Sequence, residues 1–126
     1  MERPPHGLRV GPTEDKGRGV FATRPIAQDE LVEHAPVLVV PHDEQKLVHK
    51  TVLNDYVFGW GDTIAVVLGY GMLYNHSWQA NVAYRKLLDE GLVEFTALRD
   101  IAVGEELTIN YSSSYPARAA LLTHLH

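Results

Sequence analysis

Three short stretches of this chain carry residue types able to do chemistry. In GYGMLYNHSWQANV, residues 69–82, Asn75 and His76 stand directly behind the run Met72-Leu73-Tyr74. An unpaired polar group buried away from water costs about 1–3 kcal/mol. The pair is therefore either a surface turn or a partnered polar element lining a site. In EDKGRGVFA, residues 14–22, Gly17 and Gly19 flank Arg18 ahead of an apolar segment. Without Cβ atoms, such a loop leaves backbone amides open to a closely approaching ligand. In GEELTINYSSSY, residues 104–115, an acidic turn leads into a short strand that ends at Tyr111. Taken singly, each has a bland explanation: a turn, a hydrogen-bonded histidine, a half-buried tyrosine.

The elements around these stretches read as mostly β, because short apolar runs are punctuated by Gly and Pro. LRVGP, GVFATR, LVEHAPVLVV, VAYRKLL and LVEFTALR are the expected strands, and LLDEGLVEF is an expected hairpin turning at Asp89-Glu90-Gly91. HDEQKLVHKTVLNDY, residues 42–56, predicts a helix with Leu47, Val48 and Leu53 on its buried face. The tail SYPARAALLTHLH predicts a second short helix, with Ser114 near its cap and Pro116 in its first turn. Asn81 is expected to pin its own loop in an Asx-type turn.

Composition bounds what these elements can do. The 126 residues suffice for one domain and one modest core. A net charge of −5, with Lys and Arg dispersed, argues against direct nucleic-acid binding; it suits a cationic partner and is equally the mild acidity of an ordinary soluble protein. The absence of cysteine excludes disulfides and thiolate metal sites. The seven histidines lack the i, i+4 spacing of helical zinc motifs, so no metal is expected. MERPPHG lacks the apolar core of a signal peptide, and no apolar run is long enough to span a bilayer. The expectation is a soluble, cytoplasmic protein with no membrane partner, a nuclear location remaining open.

In order along the chain, the three stretches resemble the signatures of the SET domain family of protein lysine methyltransferases. The resemblance runs from about Arg9 to Tyr111. It rests on Gly17-Arg18-Gly19, on Asn75-His76-Ser77-Trp78-Gln79-Ala80-Asn81, and on Glu106-Leu107-Thr108-Ile109-Asn110-Tyr111. It implies a β-clip-like SET fold of several small sheets, one or two short helices and a knot-like C-terminal crossing. The single domain would span 1–126, with its core at about 8–112 and a tail at 113–126. The crossing would bring Asn75 and His76 beside Tyr111.

By the same resemblance, S-adenosylmethionine would be held by Lys16, Gly17, Arg18, Gly19, Val20, Asn75, His76 and Tyr111, leaving as S-adenosylhomocysteine. Tyr111 would be the catalytic residue, where the lysine amine meets the methyl group. Tyr56, Tyr70, Tyr74 and Ile109 would line the lysine channel, with Phe58 and Trp60 as further aromatic candidates. The substrate would be a lysine in a basic protein or peptide, and a homodimer is compatible with so small a catalytic unit.

The chain departs from the family pattern at Trp78 and Ala80, where Cys and Pro are usual, and at Met72, where Arg is common. Ile109 replaces an aromatic residue, and no clear Tyr-x-Gly follows ELVEHAPV. A competing expectation is a SET-like module that binds peptide without turnover.

Overall fold

The structure, a computed structural model, describes residues 6–113. The helix expected in the tail from Ser114 onward lies outside them. Strands β1 (Leu8–Pro12) and β2 (Arg18–Ala22) form the first hairpin. Gly17 closes it with φ +75°, a conformation that favours glycine, and its carbonyl accepts from the Thr13 amide at 2.7 Å.

Strand β3 (Leu31–Val40) is the longest element and serves two neighbours. Its first half pairs antiparallel with β8 (Leu92–Ala97) and its second half with β5 (Thr63–Val67). A register shift between Leu31 and Glu33 interrupts its alternation, so that Val32 and Glu33 are both buried. With β4 (Phe58–Trp60) and β7 (Val82–Leu87) these strands form a five-stranded sheet in the order β4-β5-β3-β8-β7. The β7–β8 hairpin turns where expected, with Gly91 at φ +66°.

The second sheet has the order β1-β2-β9-β6. Strand β9 (Glu106–Ile109) runs antiparallel to β2, whereas β6 (Asn75–His76) runs parallel to β9. The parallel pair sets Asn75 against Thr108 and His76 against Ile109. The two polar residues are thereby fixed as a strand rather than a surface turn.

Val20, Val32, Phe58, Tyr74, Phe95, Leu107 and Ile109 share one core. Full burial of a residue such as Phe95 stabilises by roughly 1.5–3 kcal/mol. A smaller cluster of Val40, Val57 and Ile64 lies beneath Val48 and Leu53.

The helix expected over residues 42–56 is broken. A 3₁₀ turn at His42–Glu44 leads into α1 (Gln45–His49), and a second 3₁₀ turn covers Val52–Asp55. Thr51 is extended, its hydroxyl donating to the Val48 carbonyl at 2.7 Å and accepting from the Leu53 amide at 3.2 Å. Local side-chain bonds of this kind compete with helical continuation. Leu47, expected on the buried face, is exposed.

Candidate active site

The site grows out of the β6–β9 pairing. Beyond β9 the chain enters a 3₁₀ turn at Tyr111–Ser113, so Tyr111 follows the strand rather than ending it. The Tyr111 amide donates to His76 Nδ1 at 3.0 Å, and the Tyr111 hydroxyl donates to the Tyr74 carbonyl at 3.0 Å. The His76 and Tyr111 rings lie 5.1 Å apart. The residues flanking Asn75 thus secure Tyr111 at both ends, the His76 ring at its backbone and the Tyr74 carbonyl at its tip.

Asn75 joins the glycine loop to β9. Its amide nitrogen donates to the Arg18 carbonyl at 2.9 Å and to Glu106 Oε2 at 2.8 Å. Gly19 sits against this clasp: a Cβ there would fall 3.0 Å from Asn75 Nδ2 and against Glu106 Oε2. Lys16 reaches across from the loop, its ammonium 3.3 Å from the His76 carbonyl.

Asn81 does not form the expected Asx-type turn. It is buried and bonds across to β9, accepting from the Thr108 amide at 2.8 Å and donating to the Glu106 carbonyl at 2.8 Å. Its side chain thereby satisfies two backbone groups of β9 from outside the β2 and β6 strands that flank it.

Lys16, Gly17, Arg18, Tyr56, Met72, Leu73, Asn75 and Tyr111 surround one cleft of about 280 Å³. That is near the lower end of small-molecule sites, about 300 Å³. Two cationic side chains, an amide and two phenols share the cleft with an apolar wall of Met72 and Leu73. Such a cleft can take a ligand with an anionic end and an apolar or aromatic body.

The model of the SET domain matches residues 17–112. The chain belongs to the SET domain family. The H3 lysine-37-specific histone-lysine N-methyltransferase of Schizosaccharomyces pombe is 37% identical over 106 residues, covering 82% of this chain and 72% of that protein. The histone-lysine N-methyltransferase SET9 of Chaetomium globosum is 31% identical over 102 residues, or 76% of this chain but 14% of that protein. Among solved structures, a Plasmodium falciparum protein assigned as a histone methyltransferase superposes with a TM-score of 0.67 at 25% identity, covering 86% of this chain and 96% of that one. A humanized mutant of the Chaetomium thermophilum Polycomb Repressive Complex 2, bound to the inhibitor GSK126, shares the fold with a TM-score of 0.73 at 24% identity, covering 94% of this chain and 16% of that one. The mostly β architecture of small sheets is the SET fold, and the SET domain here is that of a protein-lysine N-methyltransferase. SET methyltransferases take their methyl group from S-adenosylmethionine.

Of the residues singled out in the sequence, Lys16, Gly17, Arg18, Asn75, Tyr111 and Tyr56 line the cleft of this SET domain. Gly19 and Val20 lie behind it: Gly19 backs the Asn75 clasp, and Val20 is core. His76 holds Tyr111 from the neighbouring strand position. Tyr70, Tyr74 and Ile109 are not among the cleft-lining residues. Tyr74 and Ile109 are fully buried in the core, and Tyr70 packs against it. Phe58 and Trp60 are core as well.

No local pattern in the sequence marks Leu73 as a lining residue or Glu106 as the partner of Asn75, and none marks Glu33. That carboxylate is 1% exposed, accepts from the Tyr74 hydroxyl at 2.7 Å and from the Tyr70 amide at 3.0 Å, and is pushed above the usual carboxylate range by burial. Burial and the adjacent Glu33 in turn raise the Tyr74 phenol well above its ordinary value.

Proposed function

We propose that this chain methylates the side-chain amine of a lysine in a histone tail, with S-adenosylmethionine seated in the cleft between the Lys16–Arg18 loop and Asn75. The observation that carries this reading is the convergence of that loop, Asn75 and Tyr111 on one cleft. The residues present fit the cofactor. Both amide protons of Asn75 go to Arg18 and Glu106, which leaves Oδ1 as an acceptor for an α-ammonium. Lys16 and Arg18 supply positive charge for a carboxylate, and the Lys16 contact to the His76 carbonyl is exposed and easily exchanged. When bound, S-adenosylmethionine supplies an electrophilic methyl on a sulfonium.

Tyr111 directs its proton to the Tyr74 carbonyl, so its oxygen lone pairs are what it offers the cleft. It therefore acts as a fixed acceptor that orients the amine and the methyl. Alignment of that kind supplies much of the rate of an in-line displacement. The incoming lysine ammonium must lose a proton, against a free pKa of about 10.4. The apolar wall of Met72 and Leu73, together with the cofactor's own positive charge, disfavours the charged form. The Tyr56 ring in the cleft lining suits the aliphatic stem of the lysine.

The histone assignment is supported by the names of the two curated relatives and by the −5 net charge, which suits a basic tail. It favours a nuclear location over the cytoplasmic one first expected. The test is calorimetric titration with S-adenosylmethionine, followed by methyl transfer to histone H3 and to an unrelated basic peptide. Binding that collapses in Asn75→Ala, with transfer to H3 alone, is the expected result. Cofactor binding without transfer to H3 would overturn the histone assignment, and no binding at all would overturn the cleft assignment.

A further inference from the structure

We propose that Glu106 is a positioning residue that selects which atom of the Asn75 amide is presented to the cleft. An asparagine amide can sit either way round, and only its partners decide. Here both partners, the Arg18 carbonyl at 2.9 Å and Glu106 Oε2 at 2.8 Å, accept hydrogen bonds. The nitrogen must therefore face them, and Oδ1 is the atom left at the cleft that Asn75 lines. An Asn75 turned the other way would set its oxygen against two acceptors.

Gly19 keeps the arrangement in place. The strand passes so close that any Cβ would press on both Glu106 Oε2 and Asn75 Nδ2. Asn75 is held from β6, Glu106 from β9 and Arg18 from β2, so three adjacent strands fix the orientation of one amide. A carbonyl oxygen locked outward favours a ligand that brings an ammonium group to this point. A neutral ligand that lacks the amine gains nothing from it. Glu106 thus gives the cleft selectivity for the amino-acid end of its ligand without touching that ligand.

The inference rests on the cofactor assignment of the cleft, and the experiment separates the two. Calorimetry with S-adenosylhomocysteine, which has the amine and no sulfonium charge, is compared with 5′-methylthioadenosine, which has neither. In Glu106→Thr, a strand-compatible change that withdraws the acceptor, affinity for S-adenosylhomocysteine should fall about tenfold while that for methylthioadenosine stays within twofold. Glu106→Gln removes the charge but still offers an oxygen to Asn75, and should restore S-adenosylhomocysteine affinity to within threefold of wild type.

Equal loss of both ligands in Glu106→Thr would mean a merely structural role and overturn the proposal. Loss in Glu106→Gln as deep as in Glu106→Thr would mean that charge, not orientation, acts, and would overturn it too. If Glu106→Thr does not fold, Glu106→Asp, one methylene shorter, takes its place and must show the same selective loss. Failure of the wild type to bind either ligand would instead overturn the cofactor assignment, and this inference with it.

Discussion

The Tyr111 hydroxyl donates to the backbone carbonyl of Tyr74, 3.0 Å away, across thirty-seven positions of sequence. Tyr74 is itself held from below, because its own hydroxyl donates to the buried carboxylate of Glu33. The tyrosine at the cleft and a carboxylate deep in the core are therefore linked through one residue. Tyr74→Phe keeps the ring in the core but leaves Glu33 with only the Tyr70 amide of the two donors described. Loss of a buried partner costs about 1–3 kcal/mol, so the variant should melt several degrees lower in a thermal scan. Its kcat should fall more than its KM changes, because the Tyr74 backbone carbonyl that seats Tyr111 is no longer anchored to Glu33. An unchanged melting temperature would show that Glu33 finds another partner.

Glu94 lies in one cross-strand row with His34 on β3 and Arg85 on β7. His34 Nε2 is 3.1 Å from one carboxylate oxygen, and Arg85 donates to the other at 3.0 Å. These contacts, that of His34 first, hold the Glu94 carboxyl below its usual range. A carboxyl whose folded pKa is depressed contributes stability that is present above its unfolded pKa and is lost as pH falls through the folded one. Glu33 has the opposite sign: its raised pKa makes a contribution that is fully present below the unfolded value and is lost as pH rises through the folded one. Urea midpoints measured from pH 3 to 7 should therefore fall less steeply on the acid side in Glu94→Gln than in wild type. Glu33→Gln should show the reverse, gaining relative stability toward neutral pH. Parallel curves for all three proteins would refute the assignment of these groups.

The ladder and the hairpin were legible in the sequence because alternation and turn chemistry act locally. LVEHAPVLVV forms β3 over the residues expected, and DEG closes the β7–β8 hairpin. The segment 42–56 was misread because Leu47, Val48 and Leu53 have helical spacing, while Thr51 supplies bonds that end the helix. Glu33 was illegible for a different reason. The register shift after Leu31 turns an acidic residue inward where alternation would have exposed it. Tyr74 was expected in the channel by type, but which face an aromatic presents depends on a tertiary partner, here Glu33. Asn75 and His76 stood out because a polar pair behind an apolar run needs an explanation, and Tyr111 through the resemblance to the SET signatures. Their clasp through Glu106 needs the parallel β6–β9 pairing, which no local pattern reveals.

Asn81 offers a test of that pairing without involving the cleft. Asn81→Ala would leave the Thr108 amide and the Glu106 carbonyl without their described side-chain partner. Removing the partner of one buried and one part-buried backbone group predicts a destabilisation of about 2–4 kcal/mol. Asn81→Asp is a sharper probe, because a carboxylate can still accept from Thr108 but cannot donate to Glu106. It also sets a negative charge where Asn81 now donates to Glu105 Oε2 at 3.2 Å. Equilibrium urea unfolding should rank wild type above both variants, and an Asn81→Asp as stable as wild type would refute the donor role.

Gly17 and Gly19 are two residues apart, yet their substitution should fail differently. A Cβ at Gly17 meets nothing within 4 Å, but the φ of +75° is strained for alanine. Gly17→Ala should cost roughly 1–2 kcal/mol and leave S-adenosylmethionine affinity within about threefold. Gly19→Ala meets Glu106 and Asn75 directly and should weaken S-adenosylmethionine at least tenfold. Calorimetry on the two variants checks the contrast. Equal losses would mean that the loop acts through its backbone conformation alone and not through the Asn75 clasp.

Trp78 reports on the same site from outside it. The chain has two tryptophans: Trp60 is buried, while Trp78 is 55% exposed and stands edge-on to His76 with ring centroids 4.5 Å apart. The His76 backbone faces the Lys16 ammonium, so a ligand that exchanges that contact alters the surroundings of Trp78. Titrating wild type with S-adenosylmethionine should change the tryptophan emission, and Trp78→Phe should abolish most of that change with stability altered by no more than about 0.5–1 kcal/mol. In Asn75→Ala the same emission change should require a higher ligand concentration. If Trp78→Phe keeps the full signal, the change originates at Trp60, and ligand binding reaches the core rather than remaining at the β6 strand.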